Sequence, residues 1–91
     1  MVMFALPNGR QENRLGISVS KRNGNSVVRH RLKRIIKEAF RLREEQFKTG
    51  YDIVLIARNP SVGEKSTRME KSIKGLAKRL HIWKTENDLV N

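Results

Sequence analysis

Residues 23–41 read NGNSVVRHRLKRIIKEAFR, and the rest of the chain can be placed around them. At about 100° per residue, Val28, Leu32, Ile35, Ile36 and Ala39 share one arc of about 100°, the width an amphipathic helix needs to cover a core. His30, Lys33, Arg34, Lys37 and Arg41 lie opposite, and Arg29 and Arg31 flank the seam. A solvated face is the plain explanation, but such faces usually mix Glu with Lys at i,i+4 spacing. Here Glu38 is the one acid between Asn23 and Arg43. Like charges one turn apart repel, so the row costs stability unless a polyanion offsets it. A phosphate backbone is the commonest such partner, and binding it releases counterions.

The residues ahead of this helix extend the same surface. Asn25 or Ser26 can cap its N-terminus, and Asn23-Gly24 supplies a tight turn before it. Free backbone N–H groups at a helix start favour anions. Lys21 and Arg22 stand just before that start, so loop, helix start and basic face form one electropositive strip.

Ninety-one residues make one small domain, placed here at 1–84 with a frayed tail at 85–91. Net charge is +11, and aromatic residues are only 5 %, so the core is expected to be aliphatic and the partner to be nucleic acid rather than a small molecule. With no cysteine there is no disulfide and no thiol chemistry. No apolar run exceeds six residues, far short of a membrane span, so no membrane partner is expected; a cytoplasmic location is expected, which the lack of cysteine fits.

In chain order, residues 1–6 (MVMFAL) read as a strand and Pro7-Asn8-Gly9 as a turn. Residues 14–20 alternate, with Leu15, Ile17 and Val19 on one face and Gly16, Ser18 and Ser20 on the other. The two segments are expected to form an antiparallel hairpin. Ser18 and Ser20 are either a wetted outer face or a polar floor for a single nucleic-acid strand, and alternation cannot choose. The central helix is placed at 26–48 with Gly50 as its stop, followed by a strand at 51–58 buried on both faces. Strand, helix and strand in this order suggest a βαβ crossover with parallel pairing. After a loop at 59–66, Thr67 to Glu70 fits a capping box. Met69, Ile73, Leu76, Leu80 and Trp83 then recur at helical spacing as a core stripe, with Lys71, Lys74, Lys78 and Arg79 opposite. Trp83, at the end, fits either packing or base stacking.

No catalytic set emerges. Glu44 and Glu45 point about 100° apart on a helix. His30 and His81 fall on different helices without metal-ligand spacing, so the metal sites stay unassigned. His30 could serve a nuclease as general base, but no partner accompanies it. His81 reads as a partly buried helix residue. A helix-turn-helix regulator fits poorly, because strands occupy too much of the chain.

At residues 18–41 the sequence resembles the protein subunit of bacterial ribonuclease P. That family's pattern runs approximately K-(K/R)-x-G-x-A-V-x-R-N-x-x-K-R-x-x-R-E-x-F. Lys21, Arg22, Gly24, Val27, Arg29, Lys33, Arg34, Glu38 and Phe40 match, and Lys37 keeps the charge of the family Arg. Ser26 replaces an Ala, and His30 stands where the family has Asn. The likeness continues through 51–60 (YDIVLIARNP) and into the last helix.

The resemblance implies a small two-layer α+β domain with a mixed sheet and a left-handed βαβ crossover, a build shared with ribosomal-type domains. It implies a non-catalytic protein subunit of an endoribonuclease that removes 5′ leaders from precursor tRNA. The catalytic RNA subunit, using Mg²⁺, would perform the hydrolysis, with no Mg²⁺ clearly bound by this chain. Lys21, Arg22, Asn25, Arg29, His30, Arg31, Lys33, Arg34, Lys37 and Arg41 would contact that RNA. Ser18, Ser20 and Arg58 are candidates for the leader cleft. Family members usually carry a basic segment and a helix ahead of the first strand. The present sequence opens almost at the strand, which reads as a truncated or misassigned start and predicts apolar surface on one flank of the sheet that is exposed or paired with another chain. The alternative is a ribosomal-type RNA-binding structural protein.

Overall fold

The most apolar run, Ile53 to Ala57, forms the middle of a three-stranded sheet. The structure, a computed structural model, describes residues 1–58 and 66–85. Its elements are β1 (Val2–Pro7), β2 (Arg14–Val19), α1 (Ser26–Leu42), β3 (Tyr51–Ala57) and α2 (Ser66–Arg79). The sheet order is β1-β3-β2, with β1 antiparallel and β2 parallel to β3. The fold is thus a small α+β domain with a mixed sheet and a β2-α1-β3 crossover.

The expected β1–β2 hairpin does not form. The two strands run in opposite directions, but β3 lies between them. A hairpin would leave the most apolar strand at an edge, whereas the observed order satisfies both backbone edges of β3. The connection after β1 is tied to the start of β3 by polar side chains. Asn8 Nδ2 donates to Asp52 Oδ1 (3.0 Å), Asn13 Nδ2 donates to the Lys48 carbonyl (2.9 Å), and Asn13 Oδ1 accepts from the Tyr51 N–H (2.9 Å).

One sheet face is covered and the other is open. Met3, Ile53, Leu55 and Ala57 are buried against Leu32, Ile36, Ala39 and Phe40 of α1 and Met69, Ile73 and Ala77 of α2. On the opposite face Phe4, Val54 and Gly16 stand in one cross-strand row, and Phe4, Leu6 and Val54 are 50 %, 67 % and 37 % exposed. β3 is therefore central but buried on one face only. The expected exposed apolar surface is present on this open face.

Both helices end earlier than their periodicity suggests. α1 stops at Leu42, and a 3-10 turn at Glu44–Gln46 follows, which lets Phe47 drop into the core beside Phe40 with ring centroids 4.6 Å apart. Gly50 is not the helix stop. It has φ +93, and a Cβ there would come 3.0 Å from the Arg10 carbonyl oxygen, so it serves the approach of the 8–13 connection to β3.

α2 stops at Arg79 in a paired hydrogen-bond ending: the Ile82 N–H reaches the Ala77 carbonyl and the His81 N–H reaches that of Lys78, both at 3.1 Å. His81, at φ +61, is exposed rather than half-buried in a helix. The reversal buries Ile82 where helical spacing had placed Leu80, which is 40 % exposed. The loop at 59–65, the Thr67 side chain of the expected capping box and the tail at 86–91 lie outside the described residues.

Candidate nucleic-acid interface

α1 begins where the sequence suggested. Asn25 is the cap, and its Oδ1 accepts from the Val28 N–H at 3.0 Å, so its oxygen is committed to the helix. Gly24 precedes it at φ +128, where a Cβ would come 3.1 Å from Val28. Lys21 and Arg22 are exposed on a 3-10 turn (Lys21–Asn23).

That turn is held by a residue the sequence reading treated only as turn-forming. Asn23 is 2 % exposed, and its Nδ2 donates to the Ala57 carbonyl at the end of β3 (2.9 Å) and to Ser20. The Ser20 hydroxyl in turn donates to the Arg58 carbonyl at 2.9 Å. Ser20 is thus engaged in joining β2, the turn and β3, whereas Ser18 is exposed on the open face beside Ile56. The Arg58 side chain is exposed just past β3.

His30, Arg31, Lys33, Arg34, Lys37 and Arg41 are all exposed along one side of α1. A groove of about 530 Å³ is walled by Val27, His30, Arg31, Lys33, Arg34 and Lys37. A second, of about 280 Å³, lies between the start of α1 and β2, where Arg29, His30 and Lys33 face Ile17, Ser18 and Val19. His30 and Lys33 border both, so the two grooves adjoin along the helix. β2 is an edge strand, so the second groove connects the basic helix with the rim of the open sheet face. Arg29 is among its lining residues, and the Arg29 Nε is buried and, among the described residues, has no hydrogen-bond partner. A buried guanidinium N–H without an acceptor is costly to the fold.

The ion pairs among the described residues leave α1 untouched. They join Arg14 to Asp52 (2.6 Å) and Arg43 to Glu70 (2.9 Å). The Arg14 guanidinium, helped by Asn8, holds the Asp52 carboxyl down at about 2. No group of three or more His, Cys, Asp or Glu side chains converges among the described residues, so they offer no protein-built metal cage. No helix among them is long and apolar enough to cross a membrane.

The comparisons agree with this geometry. The family model for ribonuclease P matches residues 1–81. The chain is 45 % identical over 86 residues to the ribonuclease P protein component of Clostridium kluyveri, covering 92 % of this chain and 77 % of that protein. It is 47 % identical over 83 residues to that of Clostridioides difficile, covering 90 % and 73 %. Among solved structures, the Staphylococcus aureus RNase P protein superposes with a TM-score of 0.75 at 31 % identity, covering 90 % of this chain and 75 % of that one. The Thermotoga maritima RNase P protein gives 0.76 at 30 %, covering 85 % and 74 %. These relatives favour the ribonuclease P reading over the ribosomal-type alternative. With an uncompensated basic helix bordering an open sheet, and this likeness across nearly its whole length, the chain belongs to the ribonuclease P protein family.

Proposed function

We propose that this chain binds the RNA subunit of ribonuclease P through the basic side of α1 and guides the 5′ leader of precursor tRNA across the open sheet face. The observation that carries this is the row of exposed α1 cations, unpaired among the described residues, beside a groove lined by Arg29, His30 and Lys33. Phosphates in that groove would meet Arg29, His30 and Lys33, with Arg31, Arg34, Lys37 and Arg41 continuing the track along the helix and Lys21 and Arg22 ahead of its start. Asn25 acts first as the helix cap, with its amide nitrogen left for RNA.

Such contacts position a backbone without reading sequence. The open face complements them: Phe4 and Val54 offer apolar surface to unstacked bases, with Ser18 and Arg58 at its margin. Ser20 contributes by fixing the strand ends through its hydrogen bonds. Hydrolysis belongs to the RNA in this reading. Magnesium is held by RNA phosphates, and the chain lowers the magnesium requirement by neutralising nearby charge. The site of action is the bacterial cytoplasm, where precursor tRNA is made.

Reconstitution tests the proposal. The chain, a bacterial ribonuclease P RNA and a precursor tRNA are combined at low magnesium, and leader release is compared with each component alone. Stimulation that shrinks as magnesium rises is the expected result. Absence of both stimulation and RNA-subunit binding would overturn it.

A further inference from the structure

Away from the helix start, the end of α2 turns back against the segment that follows α1. Phe47 and Trp83 pair as an antiparallel bridge, with the Lys48 N–H donating to the Ile82 carbonyl and the Lys84 N–H to the Gln46 carbonyl, both at 2.7 Å. This clip presents a groove of about 380 Å³ walled by Gln46, Lys48, Lys78, His81, Trp83 and Lys84, and no carboxylate among the described residues lines it. None of these residues belongs to the α1 grooves.

We infer that this groove is a second RNA site, which takes a single-stranded segment with one base against Trp83 and phosphates against Lys78 and Lys84. The indole is held rather than loose. It meets Phe47 edge to face at 5.4 Å, and the Lys74 ammonium lies 5.7 Å from its centroid. Lys74 does not line the groove, and the ring is half-buried. A positioned aromatic among lysines is the combination that binds unpaired nucleotides, since every base has a face to stack while phosphates follow the cations. A duplex would not fit this chemistry, because its bases are already stacked on each other.

His81 supplies an independent indication. It holds the left-handed position that ends α2, where glycine is the least strained residue, yet its side chain lines the groove.

The chain has a single tryptophan, so Trp83 reports on its own groove. The intact chain is titrated with a uridine oligonucleotide of about twelve nucleotides, within the span of one such site, and with an abasic strand of equal length. Saturable quenching by the uridine strand and none by the abasic strand are expected. Replacing Lys78→Gln and Lys84→Gln together should raise the midpoint about tenfold and reduce the slope of log affinity against log salt by about 1.4. His81→Asn, which also tolerates the left-handed conformation, should weaken quenching less. Arg34→Glu with Lys37→Glu should leave it intact. Quenching that is absent, that ignores the two lysines, or that disappears with the α1 pair would overturn the inference. No ribonuclease P RNA enters this titration, so its outcome is separate from that of leader release.

Discussion

α1 and α2 are built alike and differ in what their charges already do. Each buries one apolar stripe on the same sheet face and turns cations outward. On α1 the exposed cations take part in no ion pair among the described residues, and their neighbours are grooves. On α2 Glu70 receives Arg43 from beyond the end of α1, and Lys74 rests on Trp83. Part of the charge of α2 is therefore engaged within the fold. A basic helix face is available to a polyanion to the extent that the fold has left it unpaired.

The largest expected difference between the helices is in RNA binding. Arg34→Glu with Lys37→Glu should weaken binding to the RNA subunit by about 100-fold, because two phosphate contacts become repulsions. The equivalent reversal on α2, Lys71→Glu with Arg79→Glu, should cost about threefold or less in the same filter-binding assay. Equal losses would erase the distinction between the two faces.

Next comes the anchoring of the α1 start, for which α2 has no counterpart among the described residues. Asn23→Ala leaves the Ala57 carbonyl without its side-chain donor at a buried site and should cost about 2 kcal/mol in urea unfolding. Smaller effects of opposite sign are expected at the two helix ends. Asn25→Ala removes the α1 cap and should cost about 1 kcal/mol, whereas His81→Gly relieves the left-handed end of α2 and should add about 1 kcal/mol.

The smallest effect concerns acid on the sheet, apart from both helices. Asp52 is held below its unfolded value, so its contribution to stability is present above pH ~4 and disappears as pH falls through about 2. Asp52→Asn should remove that part of the acid dependence in circular-dichroism titrations. A surface pair contributes little, so the change will be small.

Much of this was legible in the sequence, for local reasons. α1 revealed itself because Leu32, Ile36 and Ala39 recur at helical spacing and because its basic side is almost free of acid. β3 stood out as the most apolar run, and the family motif lies in one continuous stretch. Strand order was not legible, because Asn8 and Asn13 tie the β1–β2 connection to residues 35 or more positions away. Asn23 was hidden in the same way: its partner Ala57 is 34 residues on, and a turn asparagine looks the same with or without it. The helix ends were overrun because periodicity continues past Leu42 and Arg79, where Phe47 and Ile82 enter the core from non-helical backbone. At the site, Ser20 looked like open surface because alternation says which face a side chain takes and nothing about its hydrogen bonds.

The most direct measurement is the salt dependence of RNA-subunit binding for the unaltered chain and for Arg34→Glu with Lys37→Glu. If the unpaired face of α1 is the phosphate track, the unaltered chain will show a steep negative slope of log affinity against log salt. The double variant will be shallower by about 2, one for each lost phosphate contact. Identical slopes would show that the α1 cations touch solvent and not RNA.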